Sequence, residues 1–420
     1  MEVTNRKHKI YFVLSFLCTS ICLSAQNVMT SSPYSMFGIG EIDEGLFGYN
    51  AGMGGVAYGM RGNDLINTTN PAALTALDSM HLFSEASAFL KWENYKSKGD
   101  GNNAFTGNFG HFSLGARMYN RWYLAVGLMP YSSVGYYFQS TEPLEGSPGS
   151  YYSSTFEGNG GFSKLRLSNA FRILPSLSLG VNVNYVFGNI TETETQGTMY
   201  EKQKLTGRTF TVDGGLQYQR RLGKDMMLTA GAVYGVPQNL SLGRSKTIYA
   251  TSSTTSTSSS TGSTATTATD YPMNDLKEKL PMFIGGGASL QYKQWTYALD
   301  YLYQKYSTLV SNDSRITFHD THSLKLGTTY YPAKYTSEHF WRRTQYKLGL
   351  DVSTPYLHVN SQSGYSIRVT AGMGFPVLSG RINLSLFYDQ LKLNQKALQR
   401  NWTGITITYT LSELMYRAKL

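Results

Sequence analysis

The sequence predicts an all-β protein, a transmembrane antiparallel β-barrel of about fourteen strands with an amino-terminal plug in its lumen. Charged residues make up only 15% of the 420 residues, against about 25% in ordinary soluble domains. The mean hydropathy is nevertheless negative, at −0.28. Apolar residues alternate with small or polar ones in segments of strand length. Beyond residue 25, no apolar run reaches the roughly 18 residues that a spanning helix needs.

The first 25 residues predict a secretory signal peptide. Three basic residues precede an apolar stretch over residues 10–23, which ends in Ser24-Ala25. A basic, an apolar and a small-residue region in this order are typical of an export signal, here cleaved after Ala25. The alternative is an amino-terminal membrane anchor, for which the apolar stretch is short. Both cysteines of the sequence, Cys18 and Cys22, lie in this segment.

Residues 26–79 lack the alternation of the rest of the chain and are predicted to form the plug. Nine glycines lie between residues 38 and 62 of this segment. A compact, glycine-rich element before a barrel is suited to fill its lumen. The glycine pairs do not predict a dinucleotide-binding loop, because a preceding strand, a following helix and an acidic partner are missing.

Residues 80–411 are predicted to form the barrel, because fourteen segments there alternate with the two-residue period of strands. In residues 177–189, Leu179 and Val181 share one face while Ser178 and Asn182 share the other, as expected for a lipid face and a lumen face. A soluble sandwich or propeller would carry more Val and Ile and more even connections. The segments are 82–92, 105–118, 122–131, 162–171, 177–189, 209–219, 226–236, 282–292, 295–306, 322–330, 346–352, 365–375, 382–388 and 402–411.

The connections alternate in length, which predicts the orientation of the barrel. Outer-membrane barrels have short periplasmic turns and longer extracellular loops, so we expect both termini in the periplasm of a Gram-negative cell. One long run, residues 331–345, falls on the periplasmic side and is predicted to be a small platform. The short connections are 119–121, 174–176, 220–225, 293–294 and 377–379, and the long ones include 132–161, 190–208 and 237–281.

Two further segments are suited to contact partners. Residues 251–269 are almost entirely Ser, Thr, Ala and Gly, which bury too little apolar surface to offset the entropy of ordering. We therefore expect a mobile extracellular loop, either a solvated insertion or a surface for glycans or proteins. Residues 412–420 follow the last predicted strand and carry Arg417 and Lys419. They are expected to form a periplasmic tail that could contact another protein.

Three short motifs resemble the FadL family of outer-membrane transporters for hydrophobic compounds. They are Ser35-Met36-Phe37-Gly38-Ile39-Gly40, the sequence AGMGGVA at residues 51–57, and Asn70-Pro71-Ala72-Ala73-Leu74. The resemblance implies a fourteen-stranded, porin-like barrel in the cell outer membrane, with an amino-terminal hatch. The residues that match the hatch motif, and so the implied gate or ligand site, are Asn70, Pro71, Ala72, Gly54 and Gly55.

The resemblance also implies passive uptake of a hydrophobic molecule or lipid, such as a long-chain fatty acid. The ligand would bind from outside, the hatch would shift, and the ligand would leave sideways into the membrane through a gap at a kinked strand. For Asn70, Pro71 and Ala72, an ordinary turn between plug and first strand is an equal alternative. The second function that the sequence favours is a non-transporting barrel subunit of an outer-membrane secretion or assembly complex, whose partners would contact the outer loops or the tail.

Enzymatic chemistry has little support in the sequence, which predicts no catalytic residue, no metal and no cofactor. The best cluster is His319, Asp320 and His322. Strand alternation places the two histidines on opposite faces, so they cannot bind one metal ion unless the strand is bulged. The net charge is +10, but the basic residues are scattered along the chain, so no nucleic-acid partner is predicted.

Overall fold

The computed structural model describes most of the chain between residues 32 and 415. The predicted signal peptide, residues 1–25, lies outside the described residues, as do residues 26–31 of the predicted plug and residues 416–420 of the predicted tail. The described residues are 32–43, 45, 48–97, 100–147, 149–254, 263–309, 316–333, 339–359, 363–377, 379–393 and 399–415.

Strands account for most of the described residues. Within this part of the chain, no helix has the length and apolar character that a membrane span needs. The strands are β1 (Glu41–Ile42), β2 (His81–Ser97), β3 (Asp100–Tyr119), β4 (Trp122–Pro143), β5 (Tyr151–Arg172), β6 (Leu177–Gln196), β7 (Met199–Arg221), β8 (Met226–Gly235), β9 (Gln238–Thr254), β10 (Ser263–Pro272), β11 (Leu276–Leu280), β12 (Phe283–Tyr292), β13 (Trp295–Gln304), β14 (Ile316–Phe318), β15 (Thr321–Tyr330), β16 (Gln345–Ser353), β17 (Leu357–Val359), β18 (Gly364–Val377), β19 (Gly380–Leu393) and β20 (Gln399–Leu414).

The strands close into an antiparallel barrel of fourteen strands. β2 pairs with β3 on one side and with β20 on the other, which closes the ring. β8 and β9 lie end to end and together occupy one of the fourteen positions in the wall. At the next position, β12 pairs with β8 and β11 pairs with β9. β14 and β17 form a separate two-stranded sheet. Each of the fourteen predicted segments overlaps one wall strand, so the predicted fold class is confirmed.

The two faces of the wall differ in polarity as the alternation predicts. In β6, Leu179 and Val181 point outward and are 42% and 47% exposed, whereas Ser178 and Asn182 point inward and are buried. The same inversion, with apolar side chains outside and polar ones inside, is expected when the outer face contacts lipid.

The wall is tall on one side of the barrel and low on the other. β4, β5, β6 and β7 have 20 to 23 residues, whereas β12, β13 and β15 have 10 each. About 9 to 11 residues suffice to span a bilayer, so the tall side projects beyond it. We call the end of the barrel at which these long strands project the long-hairpin end. The opposite end, where the predicted short connections lie, is the short-turn end.

The extent of the predicted loops was wrong on the tall side. Residues 132–161 hold the ends of β4 and β5, which stay paired to Pro143 and Tyr151, and residues 190–208 form a tight hairpin of β6 and β7. Residues 237–281 contain β9, β10 and β11. In the predicted mobile loop, residues 251–254 of β9 pair with 263–266 of β10, and residues 267–269 of β10 pair with 248–250 of β9. Backbone pairing needs little apolar surface, and threonine favours strands.

The carboxyl end and the long short-turn connection also differ from the expectation. β20 continues to Leu414, so three residues of the predicted tail, 412–414, belong to the last strand. Residues 340–343 of the predicted platform form a 3₁₀ helix, Phe340–Arg343.

Candidate functional site

The described residues between 32 and 78, here called the amino-terminal segment, cross the space that the strands enclose. The 3₁₀ helix Gly48–Met53 contacts β15, β16, β18, β19 and β20, and the 3₁₀ helix Pro71–Ala76 contacts β4 to β7 on the opposite side. Met53, Val56 and Leu74 of the segment are completely buried. Because the segment crosses the interior of the barrel, this interior is the candidate functional site.

Asn70 ties the segment to itself and to the wall. Its side-chain oxygen accepts a hydrogen bond from the Ala72 N–H at 3.2 Å and so caps the helix that Pro71 begins. Its Nδ2 donates to the Tyr58 carbonyl at 2.8 Å and to the Leu216 carbonyl of β7 at 3.2 Å. The cap is a local contact, whereas the bond to β7 joins residues far apart in sequence, which spacing could not predict.

Gly54 and Gly55 lie against the other side of the wall. Both have positive φ, +67° and +77°, which favours glycine. The Gly54 N–H donates to Thr370 Oγ1 of β18 at 2.8 Å, and a Cβ at Gly54 would lie 2.9 Å from the Leu326 carbonyl oxygen. Gly54 therefore faces β15, β16 and β18, whereas Asn70 faces β7. The structure does not bring the five predicted residues together in one pocket.

Glycines on the strands let the segment approach the backbone of the wall closely. A Cβ at Gly180 would lie 2.6 Å from the Ala72 nitrogen, and one at Gly327 would lie 2.6 Å from the Met53 carbonyl oxygen. At three further positions a Cβ would overlap Asn70, Tyr58 or Gly54. We call these five residues the glycine belt: Gly180, Gly215, Gly231, Gly327 and Gly349. Sequence reasoning missed the belt, although each member stands at a lumen-facing position of an alternating strand.

Buried polar side chains of three strands bind the segment at residues 57–60. Asp300 of β13 accepts from the backbone N–H groups of Ala57 and Tyr58 at 2.5 and 2.8 Å. Gln217 of β7 donates to the Tyr58 carbonyl at 2.9 Å, and Ser289 of β12 donates to the Gly59 carbonyl at 2.6 Å. These bonds satisfy backbone groups that the irregular segment would otherwise leave unpaired.

Paired charges line the inner wall on the long-hairpin side of the segment. Arg368 of β18 lies 2.6 Å from Asp389 and 3.6 Å from Asp351. Lys325 of β15 lies 3.8 Å from Asp351. All four side chains are buried, and buried charges are stable only when paired. This part of the lumen therefore presents a compensated polar surface.

An open cavity of about 280 Å³ lies at the short-turn side of the segment. Its lining includes acidic and basic side chains, among them Asp64, Asp78, Glu85, Arg343 and Arg381. Apolar pockets with a few polar groups are typical of sites for hydrophobic ligands, and this cavity does not have that character.

The small sheet of β14 and β17 covers the segment from the long-hairpin side. Ile316 and Leu357 of this sheet are buried in one cluster with Tyr34 of the segment and Leu391 of β19. Burial raises the pKa of the Tyr34 phenol to about 12. A layer of packed side chains thus lies over the segment on this side.

The wall contains a break between β3 and β4, and the segment covers it. Their register runs from the pair Tyr119 and Trp122 only as far as Phe112 and Leu128. Farther along, β1 of the segment takes the free edge of β4, where Glu41 pairs with Ser133. The Glu41 carboxylate also contacts Arg400 of β20 at 2.7 Å. The segment therefore bridges from β4 to β20 across the break.

The predicted histidine cluster does not form a joint site. His319 stacks on His358 with ring centroids 4.1 Å apart, while His322 Nδ1 lies 2.7 Å from the Tyr301 hydroxyl. Asp320 accepts a hydrogen bond from the Tyr303 hydroxyl at 2.6 Å. Among the described residues, no group of three or more His, Cys, Asp or Glu side chains could hold a metal ion.

Comparisons with known proteins place the chain among outer-membrane barrels. The toluene transporter TodX of Pseudomonas putida is 15% identical with a TM-score of 0.57, over 93% of this chain and 100% of TodX. A FadL homologue of Pseudomonas aeruginosa is 10% identical with a TM-score of 0.53, over 93% and 100%. The toluene transporter TbuX of Ralstonia pickettii is 14% identical with a TM-score of 0.52, over 87% and 98%.

These neighbours share the fold of the chain, and the protein is a multi-pass barrel of the outer membrane. The FadL resemblance holds at the level of the fourteen-stranded fold. The family model named BamG matches residues 7–418. No curated protein matches the chain.

Proposed function

The chain belongs to the BamG family, and on that premise we propose that it is a closed, non-transporting barrel subunit of an outer-membrane protein assembly complex. The observation that carries the proposal is the close contact of the amino-terminal segment with the glycine belt, both at β6 to β8 and at β15 and β16. A plug held in this way fills the lumen and braces the wall. The family match is consistent with a role in such a complex.

The segment has few ways to move as a hatch. Its backbone is bonded to β7, β12, β13 and β18 through Gln217, Ser289, Asp300 and Thr370. Leaving such buried groups without partners costs about 1–3 kcal/mol each. A shift of the segment would have to break several of these bonds together. The contacts therefore support a static plug.

A disulfide between the segment and the wall tests this proposal. Thr75 Oγ1 of the segment lies 2.7 Å from Ser178 Oγ of β6, so cysteines at both positions are close enough to form a disulfide. Both natural cysteines precede residue 26, so no other cysteine competes with the introduced pair once the predicted signal peptide is cleaved. A static plug predicts that the oxidised double variant supports outer-membrane protein assembly as the wild type does. Thr75→Cys alone is the matched control.

A second candidate function is the uptake of hydrophobic small molecules. The break between β3 and β4 favours it, because a lateral opening lets an apolar molecule enter the bilayer without crossing water. TodX and TbuX are toluene transporters, and this chain shares their fold. The test is uptake of toluene or a fatty acid by the double variant with cysteines at positions 75 and 178. Uptake that is abolished by the disulfide and restored by a reductant would establish this function and contradict the static plug.

A further inference from the structure

We propose that the 3₁₀ helix Phe340–Arg343, here called the rim helix, binds the head group of an anionic phospholipid. The site consists of Phe340, Trp341 and Arg342 at the outer side of the short-turn end, whereas Arg343 of the same helix lines the cavity described above. It does not depend on either proposed function, because a transporter and an assembly subunit would be anchored in the same way.

The rim helix rests on the lipid-facing side of the wall. The Phe340 ring stacks on Phe375 of β18, with centroids 6.0 Å apart and planes at 6°. Phe375 stands two residues after Met373, whose side chain is 41% exposed, and in a strand such residues share a face. The helix therefore continues the outer, apolar surface of β18.

A second contact fixes the rim helix to the next strand. The Tyr346 hydroxyl of β16 donates to the Trp341 carbonyl at 3.2 Å. Tyr346 shares its face with Leu348, which is 59% exposed. The helix thus spans the outer faces of two neighbouring strands, β16 and β18.

The two aromatic side chains of the rim helix remain free to enter a bilayer. Phe340 is 47% exposed and Trp341 is 63% exposed, although both belong to an ordered helix. Exposed aromatic residues at the end of a membrane wall typically lie at head-group level. Their position beside lipid-facing residues favours lipid over a protein as the occupant.

Arg342 supplies the charge that a phosphate needs. It lies in the last turn of the rim helix and is exposed. Among the described residues of the short-turn end, six basic side chains are exposed but only three acidic ones. The acidic ones are Asp78, Asp225 and Glu413. The basic ones are Arg121, Arg220, Arg221, Lys224, Lys293 and Arg342. A basic girdle attracts anionic head groups, and an arginine can hold a phosphate with two parallel bonds.

Native mass spectrometry of the purified barrel, with phosphatidylglycerol and phosphatidylcholine offered separately, tests the site. We expect the barrel to retain more phosphatidylglycerol than phosphatidylcholine. Arg342→Gln should lower the apparent affinity for phosphatidylglycerol roughly fivefold, the effect of one basic residue near a membrane surface. Trp341→Ala should reduce retention of both lipids, because it removes the interfacial contact. Arg342→Lys keeps the charge and should retain most of the binding.

Matched controls come from the other end of the barrel. Arg208 is exposed on β7 and Trp92 is 55% exposed on β2, so Arg208→Gln and Trp92→Ala should leave the lipid preference unchanged. The wild type retaining the two lipids equally would overturn the proposal. It would also fail if Arg342→Gln, folded as judged by heat-modifiable migration in gels, kept the full preference. Rim-helix variants that lost a protein partner while keeping that preference would identify a protein-docking surface instead.

Discussion

The Glu41 carboxylate lies 2.7 Å from the Arg400 guanidinium, with both side chains largely buried in the barrel. Arg400 in turn stacks over the Trp402 ring, 3.6 Å from its centroid. The backbone of Glu41 pairs with Ser133 of β4. A single residue of the segment therefore connects β4 to β20 across the break in the wall, and its side chain is the natural place to test how the segment is held.

Glu41→Gln should loosen the segment where it covers the break. Removing one partner leaves a largely buried Arg400 without its counter-charge, which is strongly destabilising. We expect backbone amides of residues 34–43 to exchange hydrogen roughly tenfold faster, with the wall strands unchanged. Glu201→Gln is the control, because the Glu201–Lys246 pair has the same 2.7 Å distance but lies at 33% and 28% exposure. An equal increase of the exchange rates in both variants would argue against a specific role of the Glu41–Arg400 pair in holding the segment.

Gly231→Ala should displace the segment from the glycine belt. A methyl group at Gly231 would overlap the Tyr58 carbonyl oxygen, and forcing extra volume into a packed interior typically costs about 1–3 kcal/mol. We expect a lower midpoint of thermal unfolding. Gly223→Ala is the matched control, since its new methyl group would meet nothing within 4 Å. An unchanged midpoint for Gly231→Ala would mean that the contact is loose in solution.

Asn70→Ala should weaken the segment while the barrel wall stays intact. The substitution removes a helix cap worth about 1 kcal/mol and the two bonds to the Tyr58 and Leu216 carbonyls. Limited proteolysis should cut the segment faster, and heat-modifiable migration of the barrel should persist. Asn63→Ala, which removes only an exposed bond to Asp78, serves as the control. Resistance equal to wild type would show that Asn70 is an ordinary turn residue.

Acidification should loosen the sheet of β14 and β17. Burial, and then the neighbouring His319, lowers the pKa of His358 below its usual 6.5. A histidine with a lowered pKa in the folded state contributes stability that is complete above about pH 6.5 and declines as the pH falls below it. The protection of the backbone amides of residues 316–318 and 357–359, which is the intrinsic exchange rate at each pH divided by the observed rate, should therefore fall between pH 7.5 and 5. His358→Phe should remove this dependence, and its persistence would assign it to another group.

The sequence predicts the wall of this protein well and its interior poorly. In β6 the two-residue period places Leu179 outside and Asn182 inside. Successive side chains of a strand point to opposite faces, so the local alternation alone is enough to assign them. The contacts of the interior join residues far apart in sequence, such as Gly231 with Tyr58 and Glu41 with Arg400. No local pattern specifies them. The hairpin ends at residues 132–161 were missed for a related reason, since polar strands outside the bilayer lack the apolar alternation that marks strands inside it.

Native mass spectrometry of the protein, extracted in mild detergent from its own membrane, distinguishes an assembly subunit from a transporter. We expect a stoichiometric assembly with other protein chains and, apart from phospholipid at the rim helix, no hydrophobic small molecule. A lone barrel that carries a fatty acid or an aromatic hydrocarbon would contradict it and would establish the chain as a transporter.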